Sequence, residues 1–274
     1  MTRLPAIPGF TLQQQACGDR DLELYRRGTG PAVVVLSEIP GITPEVARFA
    51  RRVADAGFSV WMPQLFGTPL RPISLPYAGH TLARVCIRRE FRVLAAEASS
   101  PIVDNLRALA RHVHAECGGP GVGVVGMCIT GNFGLAMMLD APVIAPVLAQ
   151  PSLPGGPTRG QRAALHASPA EIQAARDKIA HAGARILGLR FKGDPMCRAE
   201  RFEQLRQTFG EAFEAIELDN CHARRGTPIP PHSMLTTHLI DEAGQPTRMA
   251  LDRVLGFLRE QLAPSPVPSR SPAG

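Results

Sequence analysis

The chain has 274 residues, 45% hydrophobic and 20% charged, the composition of an ordinary globular protein with length for one large α/β domain or two small ones. The net charge of +6 comes from scattered arginines, and with aromatics at only 5% no basic run is interleaved with stacking residues, so no nucleic-acid partner is expected. No window approaches the roughly 18 apolar residues that span a bilayer, Met1 to Pro5 carries no apolar leader core, and the six cysteines form no CxxC pair. The expectation is a cytoplasmic protein with reduced thiols, no membrane partner and no disulfide framework.

Thr11 to Cys17 and Asp21 to Arg26 read as strands of an N-terminal hairpin around Gly18-Asp19. Ala32 to Leu36 is a continuous apolar run, as expected of a strand buried on both faces. After the turn Glu38-Ile39-Pro40-Gly41, Thr43 and Pro44 supply an N-cap and a first-turn proline. Val46, Phe49, Ala50 and Val53 then follow helical spacing up to Gly57. Phe58 to Met62 is the next strand. Buried strands alternating with amphipathic helices predict a mostly parallel sheet with helices on both faces.

Residues 64–80, rich in Pro and Gly, read as a long loop, followed by helical patterns at 81–97 and 101–117. A strand ending at Met127 leads into Cys128 and an amphipathic stretch from Asn132 to Leu139. Pro142 to Leu148, Ala184 to Phe191 and Phe213 to Leu218 read as strands, with helices near 169–181 and 198–208 between them. A final helix opens at Pro246 and buries Leu251, Val254, Leu255, Leu258 and Leu262. The expected organisation is one domain over residues 1–263, then a Pro/Ser-rich, disordered tail over 264–274.

The chemistry concentrates at Gly123-Val124-Val125-Gly126-Met127-Cys128-Ile129-Thr130-Gly131. A β-branched strand that ends in glycine, a nucleophile and a small-residue turn is the layout of a nucleophile elbow, with a thiol in place of the usual hydroxyl. The competing reading is a small cysteine packed at a strand end. The thiolate is the attacking form, and a free cysteine titrates near 8.5, so the anion needs help from a helix N-terminus or an imidazole. In this chain order an acid and then a histidine should follow.

Asp194, in Lys192-Gly193-Asp194-Pro195 at the end of a strand, is the carboxylate so placed. His222 and His232 both follow the last strand; spacing favours the first and the rigid Pro230-Pro231 lead-in favours the second. An oxyanion hole needs two backbone N–H donors. Ile129, after the nucleophile, is one; Ile39 is the other, since Pro40 has no N–H.

With Ser37-Glu38-Ile39-Pro40-Gly41, Gly126-Met127-Cys128 and Lys192-Gly193-Asp194-Pro195 placed, the chain from about residue 20 to 262 resembles the dienelactone hydrolase family of α/β-hydrolases. The resemblance implies the α/β-hydrolase fold and the opening of a small-molecule ester or lactone through a cysteinyl acyl-enzyme. It implies no metal or organic cofactor. It also implies that Glu38 contacts the resting thiol and takes part in forming the thiolate. Pro231 to Thr236 is similar to the histidine segment of a divergent branch, which selects His232 over His222.

Two positions depart from the family pattern. Thr130 stands where the elbow's second glycine is usual, with Gly131 one place later, and no arginine follows the histidine to bind a substrate carboxylate. Arg88 and Arg89, with Arg198 and Arg201, are the candidate substitutes for substrate binding. The expectation is a monomer or homodimer with kept chemistry and a changed substrate. The alternative reading is a weakened hydrolase fold acting as a binding or thiol redox-sensing module; a metal site at Cys221, His222 and His232 matches no familiar spacing.

Overall fold

The computed structural model describes residues 4–87, 101–139, 142–152 and 158–263. Eight strands form one sheet in the order β1-β2-β4-β3-β5-β6-β7-β8. They are β1 (Thr11–Cys17), β2 (Arg20–Arg27), β3 (Ala32–Leu36), β4 (Ser59–Pro63), β5 (Val122–Met127), β6 (Val143–Ala149), β7 (Ile186–Phe191) and β8 (Phe213–Leu218). The hairpin pairs antiparallel through Cys17↔Arg20, and β2 adds antiparallel to β4; all remaining pairs are parallel. The central strands β3 and β5 are buried at every residue, which explains why they are apolar throughout and do not alternate.

Two layers of helix cover the sheet. Val33 and Val35 face a core built with Val46, Phe49, Ala50 and Val53 of α1 (Pro44–Asp55) and with Leu251, Val254, Phe257 and Leu258. These last four belong to the C-terminal helix, Pro246–Leu262. Val34 and Leu36 face the opposite core, with Val103, Leu106, Leu109 and Val113 of the helix Pro101–Cys117. Ala175 of the helix Pro169–Ala182 and Phe202 and Leu205 of the helix Ala199–Phe209 complete that side. In chain order the helices after α1 are α2 (Leu75–Ile87), α3 (Pro101–Cys117), α4 (Phe133–Ala136), α5 (Arg159–Ala163), α6 (Pro169–Ala182), α7 (Ala199–Phe209) and α8 (Pro246–Leu262).

The fold departs from the sequence reading in three places. The stretch at 64–80 is not loop throughout: α2 begins at Leu75, because Ser74 accepts the Tyr77 N–H on its Oγ and the Ala78 N–H on its carbonyl. After the elbow, only Phe133–Ala136 is regular α-helix, and the chain reaches Leu139 through tighter bonds, Met138 N–H to Leu135 and Leu139 N–H to Ala136. The short helix α5, capped by Thr158, had no counterpart in the sequence reading. The second half of the expected 81–97 helix, Arg88 and Arg89, and the tail 264–274 lie outside the described residues. Among the described residues no helix is long and apolar enough to cross a membrane.

Candidate active site

The elbow is built at the C-terminal end of β5. Cys128 has φ 58, the left-handed region that a residue with a Cβ enters only when its surroundings impose it. The turn is so tight that a Cβ on Gly126 would stand 2.2 Å from the Thr130 carbonyl oxygen, and one on Gly131 would stand 2.9 Å from Pro151 Cα. Glycine is therefore required at 126 and 131. Thr130, by contrast, has a use for its side chain. Its Oγ1 accepts the Met127 N–H at 2.9 Å and lies 3.0 Å from the Leu36 carbonyl, which ties the elbow to the end of β3.

Asp194 follows β7 in a turn that accepts two constraints. Gly193 donates its N–H to Asn220 Oδ1 at 3.0 Å, and Asp194 Oδ1 accepts the Met196 N–H at 2.9 Å. Its free oxygen, Oδ2, accepts from His232 Nδ1 at 2.6 Å, and both residues are buried. That bond holds the ring through Nδ1, and Nε2 has no nitrogen or oxygen partner among the described residues. Burial by itself would pull the imidazole down. The neighbouring Cys128 and the bonded Asp194 outweigh it and raise His232 to about 10.

Cys128, His232, Ile39 and Ile129 line one cavity of about 800 Å³. Ile39, from the end of β3, and Ile129, from the elbow, thus border the same space as the thiol. His222 is elsewhere, half-buried in the turn Asn220–His222, whose other two residues are exposed, and is bonded to neither Asp194 nor Cys128 among the described residues.

The model of the "Dienelactone hydrolase family" matches residues 24–220, nearly three-quarters of the sequence. The chain belongs to the dienelactone hydrolase family. Among curated proteins it is similar to a Saccharomyces cerevisiae protein described as "Putative carboxymethylenebutenolidase", 27% identical over 116 residues. That alignment spans 42% of this chain and 41% of the yeast protein. Among solved structures it is similar to a "Putative Dienelactone Hydrolase" from Klebsiella pneumoniae subsp. pneumoniae MGH 78578, with TM-score 0.61, 16% identity, and 92% of this chain and 99% of that one covered. A dienelactone hydrolase-like promiscuous phosphotriesterase from metagenomic libraries gives TM-score 0.57 and 17% identity over 93% of this chain and 99% of that one. At such identities these structures establish the shared α/β-hydrolase fold.

The resemblance implied that Glu38 contacts the thiol and takes part in forming the thiolate. No hydrogen bond joins it to Cys128 among the described residues. Its carboxylate is fully enclosed and accepts from Ser233 Oγ at 2.5 Å, from Thr236 Oγ1 and from Gln150 Nε2 at 3.3 Å. Burial pushes the Glu38 carboxyl up, against the pull of Ser233, Thr236, the His232 charge and Gln150. The arginines also separate. Arg201 is buried, donating to Asn132 Oδ1 at 3.1 Å and to the Pro151 carbonyl at 2.8 Å, so it braces the elbow. Arg198 is exposed at the cavity rim.

One further histidine, in the loop after His232, proves structural. His238 is completely buried, and its Nδ1 accepts from the Ser233 N–H at 3.1 Å and the His232 N–H at 3.4 Å. Its Nε2 lies 3.2 Å from the Ile229 carbonyl. An acceptor Nδ1 requires the neutral ring, and burial first of all lowers its pKa. The sequence holds only a faint sign of this, a histidine six positions after another in a stretch with no charge until Asp241. Among the described residues no group of three or more His, Cys, Asp or Glu is arranged to hold a metal ion.

Proposed function

We propose that this chain is a hydrolase of carboxylic esters or lactones that works through a cysteinyl acyl-enzyme, with Cys128, His232 and Asp194 as its triad. The observation that carries the reading is the 2.6 Å bond from His232 Nδ1 to buried Asp194, which leaves Nε2 to a thiol on a strained elbow. Cys128 Sγ attacks the carbonyl carbon as the thiolate, and the carbonyl π electrons move onto oxygen. The N–H groups of Ile39 and Ile129 hold that oxyanion. Its collapse breaks the bond to the alkoxide, which takes the proton held on His232 Nε2, and a thioester remains on Cys128.

Water then enters. His232 Nε2 takes one of its protons as the oxygen attacks the thioester carbonyl, and a second oxyanion forms and collapses. The acid product leaves, and the Cys128 thiolate and His232 imidazolium are restored. Asp194 holds the imidazolium in one orientation throughout and keeps its own charge.

Glu38 enters this scheme as a positioning residue, bonded to the loop next to His232. The reading takes residues 1–263 as one catalytic domain acting alone on a small molecule. The free thiols Cys17, Cys117, Cys128, Cys197 and Cys221 suit a reducing, cytoplasmic setting. The test is a panel of lactones and aryl esters assayed with wild type, Cys128→Ala, His232→Ala and His222→Ala. Loss of turnover in the first two variants and retention in His222→Ala is expected. Turnover that survives Cys128→Ala overturns the mechanism.

A further inference from the structure

The cavity over Cys128 is walled on one side by α2, whose Leu75, Ala78, Gly79 and Leu82 fall at helical spacing and all line it. Ile73, Met196 and Ile229 continue the same wall. Four large hydrophobic side chains are exposed among the described residues: Leu75 at 61%, Leu82 at 37%, Met196 at 43% and Met249 at 61%. Three of these four meet at this one opening, while Met249 lies apart on α8. Single exposed apolar residues need no explanation, but a cluster at the mouth of a reactive cavity marks a surface that a ligand covers.

The described lining residues include no Asp, Glu or Lys. Of the three arginines, Arg162 donates from Nε to Glu200 at 2.8 Å, and Arg201 is spent on Asn132 and Pro151. Only Arg198, exposed at the rim, faces the opening without a role in bracing the fold. Arg201 and His232, both buried, also line the cavity, so its apolar wall bears on the length of a substituent and not on the sign of a charge.

We infer that the enzyme selects esters or lactones bearing an extended apolar substituent, which lies along Ile73, Leu75, Leu82, Met196 and Ile229. The inference rests on the hydrolase reading above. It names a lipophilic substrate class.

The test measures kcat/KM for p-nitrophenyl acetate, butanoate and octanoate and for butyl and octyl acetate. At least one alkyl series is expected to rise about tenfold or more with chain length, as each methylene added in an apolar pocket favours binding. Leu82→Asp and Met196→Asp should each cut the long-to-short ratio at least about fivefold, whereas Met249→Asp, remote from the cavity, should leave it as in wild type. Flat or falling profiles in both series overturn the inference while the hydrolase reading stands. Absence of hydrolysis of every ester, or hydrolysis that survives Cys128→Ala, overturns the hydrolase reading and this inference with it.

Discussion

Ser233, the residue directly after His232, donates its hydroxyl to Glu38 Oε2 at 2.5 Å, across 195 positions of sequence. The loop that presents the imidazole is thereby bonded to the loop that presents the Ile39 N–H. The segments that carry His232 and Ile39 are held relative to each other by a single enclosed carboxylate, with Thr236 and Gln150 completing its shell.

Glu38→Gln puts an NH2 donor among groups that already donate. The expected result is a loss of about 1–3 kcal/mol of stability in denaturant unfolding and a fall in kcat of tenfold or more. The pH profile for iodoacetamide alkylation of Cys128 should stay as in wild type, because Glu38 acts on the loop. A profile displaced toward alkaline pH by a unit or more would instead make Glu38 part of thiol activation.

Asp194→Asn keeps the oxygen that accepts the Met196 N–H but replaces the anion bonded to His232 Nδ1. The ring loses both its preferred tautomer and the charge that stabilises its protonated form. A drop in kcat of about 10²–10⁴ is expected with little change in melting temperature. A variant within twofold of wild type would remove Asp194 from the mechanism.

His238 gives a prediction in pH. Its folded-state pKa is lowered, chiefly by burial, so the unfolded chain takes up a proton near pH 6.5 while the folded chain does not. Stability from this group is present above about pH 6.5 and is lost as pH falls below it. Urea midpoints measured from pH 7.5 to 5 should decline more steeply for wild type than for His238→Gln, which cannot titrate. Parallel declines would show that the ring is not held neutral by the fold.

Much of this was legible in the chain, for identifiable reasons. Ala32 to Leu36 could be read as a buried central strand because nothing polar interrupts it. Gly126 and Gly131 flank Cys128 because no Cβ fits at either place, and that steric demand is written into the sequence as glycine. The order of Cys128, Asp194 and His232, each beyond the end of a strand, is likewise visible in the chain. The clamp around Glu38 was not, because its partners Gln150, Ser233 and Thr236 are ordinary polar residues brought together only by the sheet order. His238 was hidden for the same reason: a buried histidine that accepts two backbone N–H bonds has the same sequence signature as a loop histidine. The start of α2 was masked by its Pro and Gly content, although Ser74 and Pro76 are the residues that open a helix.

The most direct measurement is the mass of the enzyme quenched with acid during turnover of p-nitrophenyl butanoate. The account predicts a butanoyl adduct on the peptide that contains Cys128, formed at least as fast as steady-state turnover and absent in Cys128→Ala, which is inactive. An acyl group found on another residue, or turnover in Cys128→Ala, would contradict it.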